Sequence, residues 1–381
     1  MDLSYILNQL GEDRHQYYNA VSPPLIQTSN FAFDTVAAMK EAFTDEQKHS
    51  IYTRGNNPTT TMLSQKIAAL EGTEDCLVLA SGAAAISIAV ISQLKAGDHV
   101  VCVKHPYSWA FHLFTEILPR FGISTTFVDG CETENFKLAI LPNTRLFYLE
   151  SPTTMYLELQ DLTAVCLLAK SNQIKTIIDN SYCSPLGQQP AKFGVDLVIH
   201  SATKYINGHS DVVAGVICGS SVLIRKIYLS EYLNFGAICS PWNSWLMLRS
   251  LRTLPLRIRQ SSESGQKVVS YLASHPKVAR VYYPHHPSHP QSLLAQKQMS
   301  IPMGMFSIEL NTKDEASIVR FCEGLNYFLM AVSWGGHESL IMPACAFGSK
   351  SELPINFIRF YIGLEEADIL IQDLEAALVL I

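Results

Sequence analysis

The run Ser201-Ala202-Thr203-Lys204-Tyr205-Ile206-Asn207-Gly208-His209-Ser210-Asp211 sets one lysine among hydroxyl-bearing side chains, directly after the apolar stretch Asp196-Leu197-Val198-Ile199. A lysine at the end of a buried strand loses hydration in its charged form, so its pKa falls toward the range where a neutral, nucleophilic amine is populated. Such an amine condenses with carbonyls. Upstream, Thr176-Ile177-Ile178-Asp179-Asn180 is a second apolar run, and it ends in a carboxylate. A carboxylate so placed can keep a heterocyclic ring nitrogen protonated and make the ring an electron sink. Each residue alone has a plainer reading, since most lysines are solvated surface charges and an aspartate at a strand end often caps a helix. The complete string around Lys204, together with Asp179, favours carbonyl chemistry.

Other residues add binding groups. Ser81-Gly82-Ala83 follows a predicted strand and opens a predicted helix, where free N–H groups and the positive end of the helix dipole converge on an anion such as phosphate. Close strand-to-helix packing is the alternative for so short a pattern. Ser201 and Thr203, two apart on an extended segment, can add hydroxyl donors to the same anion. Tyr52 and Arg54 are also two apart, and a guanidinium matches phosphate geometry. Arg359, inside Phe357-Ile358-Arg359-Phe360-Tyr361, is a charge in an apolar strand and needs a partner, either an internal carboxylate or a ligand's.

These side chains must be carried by a framework, and the pattern supplies one. From position 76 onward short apolar runs alternate with helical periods: 76–80, 83–94, 99–103, 109–118, 125–128, 146–149, 162–170 and 176–178. That alternation predicts an α/β fold with a parallel sheet covered by helices on both faces. Residues 241–258, running on toward 272, predict a long connecting helix pair. Short strands at 278–282, 305–310 and 356–362 and helices at 314–322 and 366–379 then predict a smaller α/β unit. Residues 1–50 read as an arm with one helix near 35–43, 51–240 as a large domain and 241–381 as a C-terminal domain.

The lysine string resembles the signature of the pyridoxal-phosphate-dependent enzymes of cysteine and methionine metabolism, the trans-sulfuration family. The resemblance extends through Tyr52-Thr53-Arg54-Gly55-Asn56-Asn57-Pro58-Thr59, Ser81-Gly82-Ala83-Ala84-Ala85, Glu150-Ser151-Pro152-Thr153, Leu251-Arg252-Thr253-Leu254-Pro255, Ser333-Trp334-Gly335-Gly336-His337-Glu338-Ser339-Leu340 and Ile358-Arg359-Phe360-Tyr361-Ile362-Gly363-Leu364-Glu365. It implies fold type I, the aspartate-aminotransferase-like fold with a mostly parallel sheet, and pyridoxal 5'-phosphate as cofactor. It implies that Lys204 binds the cofactor and acts as base, that Asp179 meets the ring nitrogen, that Tyr107 stacks on the ring, and that Tyr107 and Tyr52 are catalytic beside Lys204. Gly82, Ala83, Ser201 and Thr203 would hold the phosphate. Tyr52 and Arg54 would reach the phosphate of a neighbouring subunit in a homotetramer. Arg359, with Ser333, would bind the carboxylate of a small amino-acid substrate, beside Trp334 and Thr154.

Trp334 and the three alanines after Gly82 resemble bacterial cystathionine β-lyases, which implies cleavage of L-cystathionine to homocysteine, pyruvate and ammonia. The stretch 52–59 is closer to γ-acting members. Val332, Tyr107-Ser108-Trp109 and Thr154-Met155, the last in place of the common Asn-Pro, depart from the family pattern. A γ-acting lyase or transferase and an inactive binding relative are the alternatives.

Composition excludes several classes. Hydrophobic residues make up 48% and charged ones 16% of the 381 residues, an ordinary globular balance. A net charge of −6 argues against nucleic acid as a partner. The nine cysteines are dispersed without Cys-x-x-Cys spacing, which predicts reduced thiols in a cytoplasmic protein. No signal peptide or membrane-spanning run is legible. His285-His286-Pro287-Ser288-His289 lacks the acidic or thiol companions of a metal site and reads as an exposed connection, and no metal is expected. His209 belongs to the lysine loop. Gly-x-Ser-x-Gly, Walker and Gly-x-Gly-x-x-Gly motifs are missing from the sequence.

Overall fold

The computed structural model describes residues 1–350 and 352–381. Seven strands form one sheet: β1 (Asp75–Leu79), β2 (His99–Val103), β3 (Ser124–Val128), β4 (Thr144–Glu150), β5 (Lys175–Asp179), β6 (Leu197–His200) and β7 (Gly215–Gly219), ordered β1-β7-β6-β5-β4-β2-β3. The inner strands are continuously apolar because both faces of the sheet are covered. Side-chain alternation sends Val78, Val101, Phe147, Ile178 and Val198 to one core, and Leu79, Cys102, Tyr148, Ile177 and Ile199 to the other. Burying each such aliphatic side chain contributes roughly 1.5–3 kcal/mol.

Two helices sandwich this sheet near its functional edge. Helix α3 (Pro58–Glu71) joins the first core and α4 (Gly82–Ile91) the second. Before them, α1 (Leu3–Asn8) and α2 (Val36–Ala42) belong to an N-terminal stretch whose buried hydrophobic residues are Ile6, Leu7 and Ala42. Helix α1 is pinned by Lys66, whose Nζ donates to the carbonyls of Ile6 (2.9 Å) and Leu7 (3.2 Å) and pairs with Glu12 at 3.1 Å. Glu12 also takes Arg252 at 3.1 Å, so the buried charges compensate one another.

The predicted helix pair is present as Pro241–Leu251 and Leu254–Ser274, broken at Arg252-Thr253 where Pro255 enters the first turn of the second helix. Beyond it lies a second sheet of β8 (Val278–Tyr282), β9 (Met305–Leu310), β10 (Leu329–Met330), β11 (Leu340–Pro343) and β12 (Phe357–Tyr361), ordered β10-β11-β12-β9-β8. No described helix is long and apolar enough to cross a membrane.

The main sheet is mostly parallel, and its exception is β7, which runs antiparallel to both β1 and β6. The structure differs from the sequence expectation at two places. Strands β10 and β11 were not expected, because the first has two residues and the second ends in a proline. In the histidine segment His289 is buried, and desolvation pulls its pKa down to about 4. Among the described residues no three His, Cys, Asp or Glu side chains group as metal ligands.

Candidate active site

The carboxyl ends of β1, β4, β5 and β6 meet β12 of the second sheet around a cavity of about 250 Å3. Ligand crevices in open α/β sheets form at this end of the strands. A larger recess of about 720 Å3 lies near Asp45, Asn56 and Tyr228. Its Arg225 and Lys48 already pair with Asp45, at 2.8 and 3.3 Å, and it holds no buried amine. The smaller cavity is the candidate site.

Lys204 extends into it from the loop after β6. Its Nζ donates to Ser333 Oγ at 2.5 Å and sits 5.5 Å from the centre of the Trp334 ring. Burial, followed by the positive charge of Arg359, pulls its pKa down from 10.5 to about 8, against an opposing pull from Asp179. The amine therefore loses its proton around pH 8, far more readily than an ordinary lysine.

Asp179 ends β5 with its carboxylate buried, and burial raises its pKa. The Ser181 N–H (2.9 Å) and hydroxyl (2.5 Å) both donate to Oδ1. Oδ2 has no donor among the described residues. The Ser181 hydroxyl in turn accepts the Ser201 N–H at 2.6 Å, which ties β5 to the start of the lysine loop.

At the end of β1, Ser81 caps α4 by accepting the Ala84 N–H at 3.0 Å. The N–H groups of Gly82 and Ala83 are left without an intrahelical acceptor, as at any helix start. A Cβ at Gly82 would lie 2.7 Å from Ser201 Cβ, so only glycine lets helix and lysine loop approach this closely. Gly215 is constrained in the same way, since its Cβ would fall 2.1 Å from the Ser81 carbonyl oxygen. Thr203 lines the cavity, yet its hydroxyl exchanges hydrogen bonds with Ala214, donating to the carbonyl at 3.2 Å and accepting the N–H at 3.0 Å.

Tyr107 borders the cavity at the start of a short helix, and its N–H donates to Glu150 Oε2 at 2.7 Å. Thr154 donates its hydroxyl to Glu150 Oε1 at 2.6 Å. Burial, then the charge of Asp179, pushes Glu150 up to about 8. Arg359 reaches in from β12 with its guanidinium buried, and desolvation lowers its pKa to about 10. Among the described residues it has no carboxylate partner, and its Nη2 donates to the Ser333 carbonyl at 3.3 Å. Ser333 itself is held at φ +86°, a strained value for a residue with a side chain.

Of the residues singled out in the sequence, Lys204, Asp179, Gly82, Ala83, Tyr107, Ser201, Thr203, Thr154, Ser333, Trp334 and Arg359 are brought together here. Tyr52 and Arg54 are not. Both are exposed outside the cavity, with the guanidinium carbon 5.7 Å from the Tyr52 ring centre. Sequence reasoning missed Ser181 and Glu150 as members of the site. The Asp-Asn-Ser spacing, the one used by side-chain-to-backbone turns, could have found Ser181. Nothing local signals that Glu150 holds the Tyr107 N–H.

A half-buried amine, a guanidinium with no carboxylate partner among the described residues and a carboxylate with one oxygen free of donors line one cavity. The helix start offers the Gly82 and Ala83 N–H groups, with Ser201 beside them, to an anion such as phosphate, and Asp179 Oδ2 is free to accept from a ring nitrogen. The residues present fit pyridoxal phosphate. The comparisons with known proteins agree: the model of the Cys/Met metabolism PLP-dependent enzyme family matches residues 6–379. The chain is 38% identical over 372 residues to L-methionine gamma-lyase of Porphyromonas gingivalis, covering 95% of this chain and 93% of that protein. It is 36% identical over 368 residues to cystathionine beta-lyase of Lactococcus lactis, covering 94% of each. The crystal structure of metB from Corynebacterium glutamicum matches with a TM-score of 0.92 at 33% identity, covering 100% of this chain and 98% of that one. The chain belongs to the pyridoxal-phosphate-dependent Cys/Met metabolism enzyme family, and its architecture is fold type I.

Proposed function

We propose that the protein is a carbon–sulfur lyase that eliminates a sulfur group from the γ-carbon of a small amino acid such as L-methionine. The observation that carries the choice of carbon is the near-full-length likeness, at 35–40% identity, to proteins named L-methionine gamma-lyase. This departs from the sequence expectation of cystathionine β-cleavage. Trp334 supported that expectation, but one side chain weighs less than similarity along the whole chain.

Pyridoxal phosphate, when bound, supplies an aldehyde for the Lys204 amine and a ring that accepts the electron pair left when the α-proton departs. Arg359 holds the substrate carboxylate, and Ser333 fixes its position through the carbonyl bonded to Nη2. Once free, the Lys204 amine takes the α-proton, and its depressed pKa suits it to that task. Elimination at the γ-carbon needs a second proton removed from Cβ, and Lys204 serves both positions. The Tyr107 hydroxyl, at the mouth of the cavity, gives a proton to the departing sulfur. Asp179 holds the ring nitrogen, and Gly82, Ala83, Ser201 and Thr203 hold the phosphate. Tyr52 and Arg54 complete the phosphate site from a second copy of the chain, in a homotetramer, which accounts for their exposure in a single chain. The arm, large domain and C-terminal domain divide near residues 50 and 240. We assign the protein to the cytoplasm.

A second reading is kept by Trp334, 5.5 Å from the Lys204 amine, and by the Lactococcus lactis relative named cystathionine beta-lyase. One assay separates the two. Supplied with L-methionine and water, the holoenzyme releases 2-oxobutyrate, methanethiol and ammonia by γ-elimination. Supplied with L-cystathionine and water, it yields ammonia with 2-oxobutyrate and cysteine at the γ-carbon, or with pyruvate and homocysteine at the β-carbon. Inertness toward methionine with pyruvate as the sole keto acid from cystathionine would overturn the γ assignment.

A further inference from the structure

Arg359 is buried, charged and without an acidic partner among the described residues, so weaker acceptors hold the guanidinium in place. They are the Ser333 carbonyl, 3.3 Å from Nη2, and two thioether side chains. Nη2 donates to Met342 Sδ at 3.4 Å, and Nη1 lies 3.9 Å from Met155 Sδ. The sheet explains this arrangement. Met342 on β11 is the direct antiparallel partner of Arg359 on β12, so both side chains stand on one face. On the other side, Ser307 of β9 pairs with Arg359, and its hydroxyl donates to the Met155 carbonyl at 2.9 Å. The register of β11 and β12 thus places the Met342 sulfur, and Ser307 of β9 anchors the backbone of Met155 beside the same guanidinium.

We propose that Met155 and Met342 are positioning residues for substrate recognition, a thioether cradle that orients Arg359 without neutralising it. The inference rests on Arg359 as the anchor of the substrate carboxylate. A thioether is a weak, polarisable acceptor. It fixes the direction of the guanidinium, and it leaves the positive charge to be satisfied by an incoming carboxylate. An aspartate or glutamate in either place would hold Arg359 more strongly and compete with the substrate for it. A leucine in either place would fill the same space with no acceptor, leaving the guanidinium to the Ser333 carbonyl and the remaining sulfur and loosening its orientation.

The test uses two inert ligands that differ only by the carboxylate, L-norleucine and pentan-1-amine, titrated against the holoenzyme through the change in cofactor absorbance. Met342→Leu and Met155→Leu are expected to weaken L-norleucine binding about two- to fivefold, the lower part of an ordinary hydrogen bond's contribution. Both variants leave pentan-1-amine binding unchanged, and with L-methionine they raise KM while kcat stays near wild type. Met342→Glu is expected to weaken L-norleucine more than Met342→Leu does. Equal weakening of the two ligands, or L-norleucine binding unchanged in both leucine variants, overturns the cradle. Arg359→Leu is the separating control. If it too spares L-norleucine, the carboxylate assignment of Arg359 fails; if it alone loses L-norleucine, only the cradle fails.

Discussion

The Ser181 hydroxyl donates to Asp179 Oδ1 at 2.5 Å and accepts the Ser201 N–H at 2.6 Å, so one side chain joins the carboxylate at the end of β5 to the loop that carries Lys204. A hydrogen bond to an ionised group contributes about 1.5–3 kcal/mol, more than a neutral one. Ser181→Ala keeps the backbone N–H on Asp179 but loses the hydroxyl on both sides. Cofactor affinity should fall about tenfold or more on that scale, and Ser181→Thr should restore it. Equilibrium titration of the cofactor-free variants measures this, and an alanine variant that binds as tightly as wild type removes Ser181 from the site.

Gly82 makes a second prediction because its constraint is purely steric. A methyl group there would meet Ser201 Cβ at 2.7 Å and Oγ at 2.8 Å. Overpacking of this kind costs about 1–3 kcal/mol. Gly82→Ala should therefore melt at a lower temperature and hold the cofactor less tightly, while Gly82→Ala combined with Ser201→Gly regains part of the stability, since the backbone Cα at 3.0 Å still crowds the methyl. A single variant that melts with wild type contradicts the close approach.

How much of this was legible beforehand follows from where the information lies. The strands β2, β4, β5 and β6 are buried on both faces, so each appears as a short apolar run, and Lys204 and Asp179 stand at run ends where composition changes. Arg359 stood out as a charge in such a run. The direction of β7 was hidden because Gly-Val-Ile-Cys-Gly is apolar either way round, and direction is set by partners distant in sequence. Glu150 was hidden for a related reason. Its bond to the Tyr107 N–H spans 43 residues, and only the adjacency of β2 and β4 brings the two segments together. The thioether cradle needs three strands in register, which no local pattern encodes.

The lowered pKa of Lys204 can be measured without turnover. In the cofactor-free protein the amine loses its proton around pH 8, not 10.5. The rate at which added pyridoxal phosphate is taken up should rise with pH through a midpoint near 8, and Lys204→Ala should take up none covalently. Since the Arg359 charge contributes to the depression, Arg359→Leu should move the midpoint upward. A wild-type midpoint close to 10.5 would mean that the amine is solvated and not held in the cavity.

Glu150 predicts a pH dependence of stability. Its ordinary pKa of 4.5 is pushed up to about 8 by burial and by Asp179. Between those values the folded chain binds a proton that the unfolded chain has released, so stability falls as pH rises. The contribution is complete below 4.5 and is lost as pH climbs through 8. Glu150→Gln keeps a carbonyl oxygen to accept the Tyr107 N–H and does not titrate. Melting curves of the cofactor-free proteins should show a steeper decline across this window for wild type than for the variant. Asp179→Asn removes the neighbouring charge, which lowers the pKa of Glu150 and shifts the steep part of the wild-type curve to lower pH. Parallel curves for wild type and Glu150→Gln would show that Glu150 is already ionised throughout the window and that burial does not hold a proton on it.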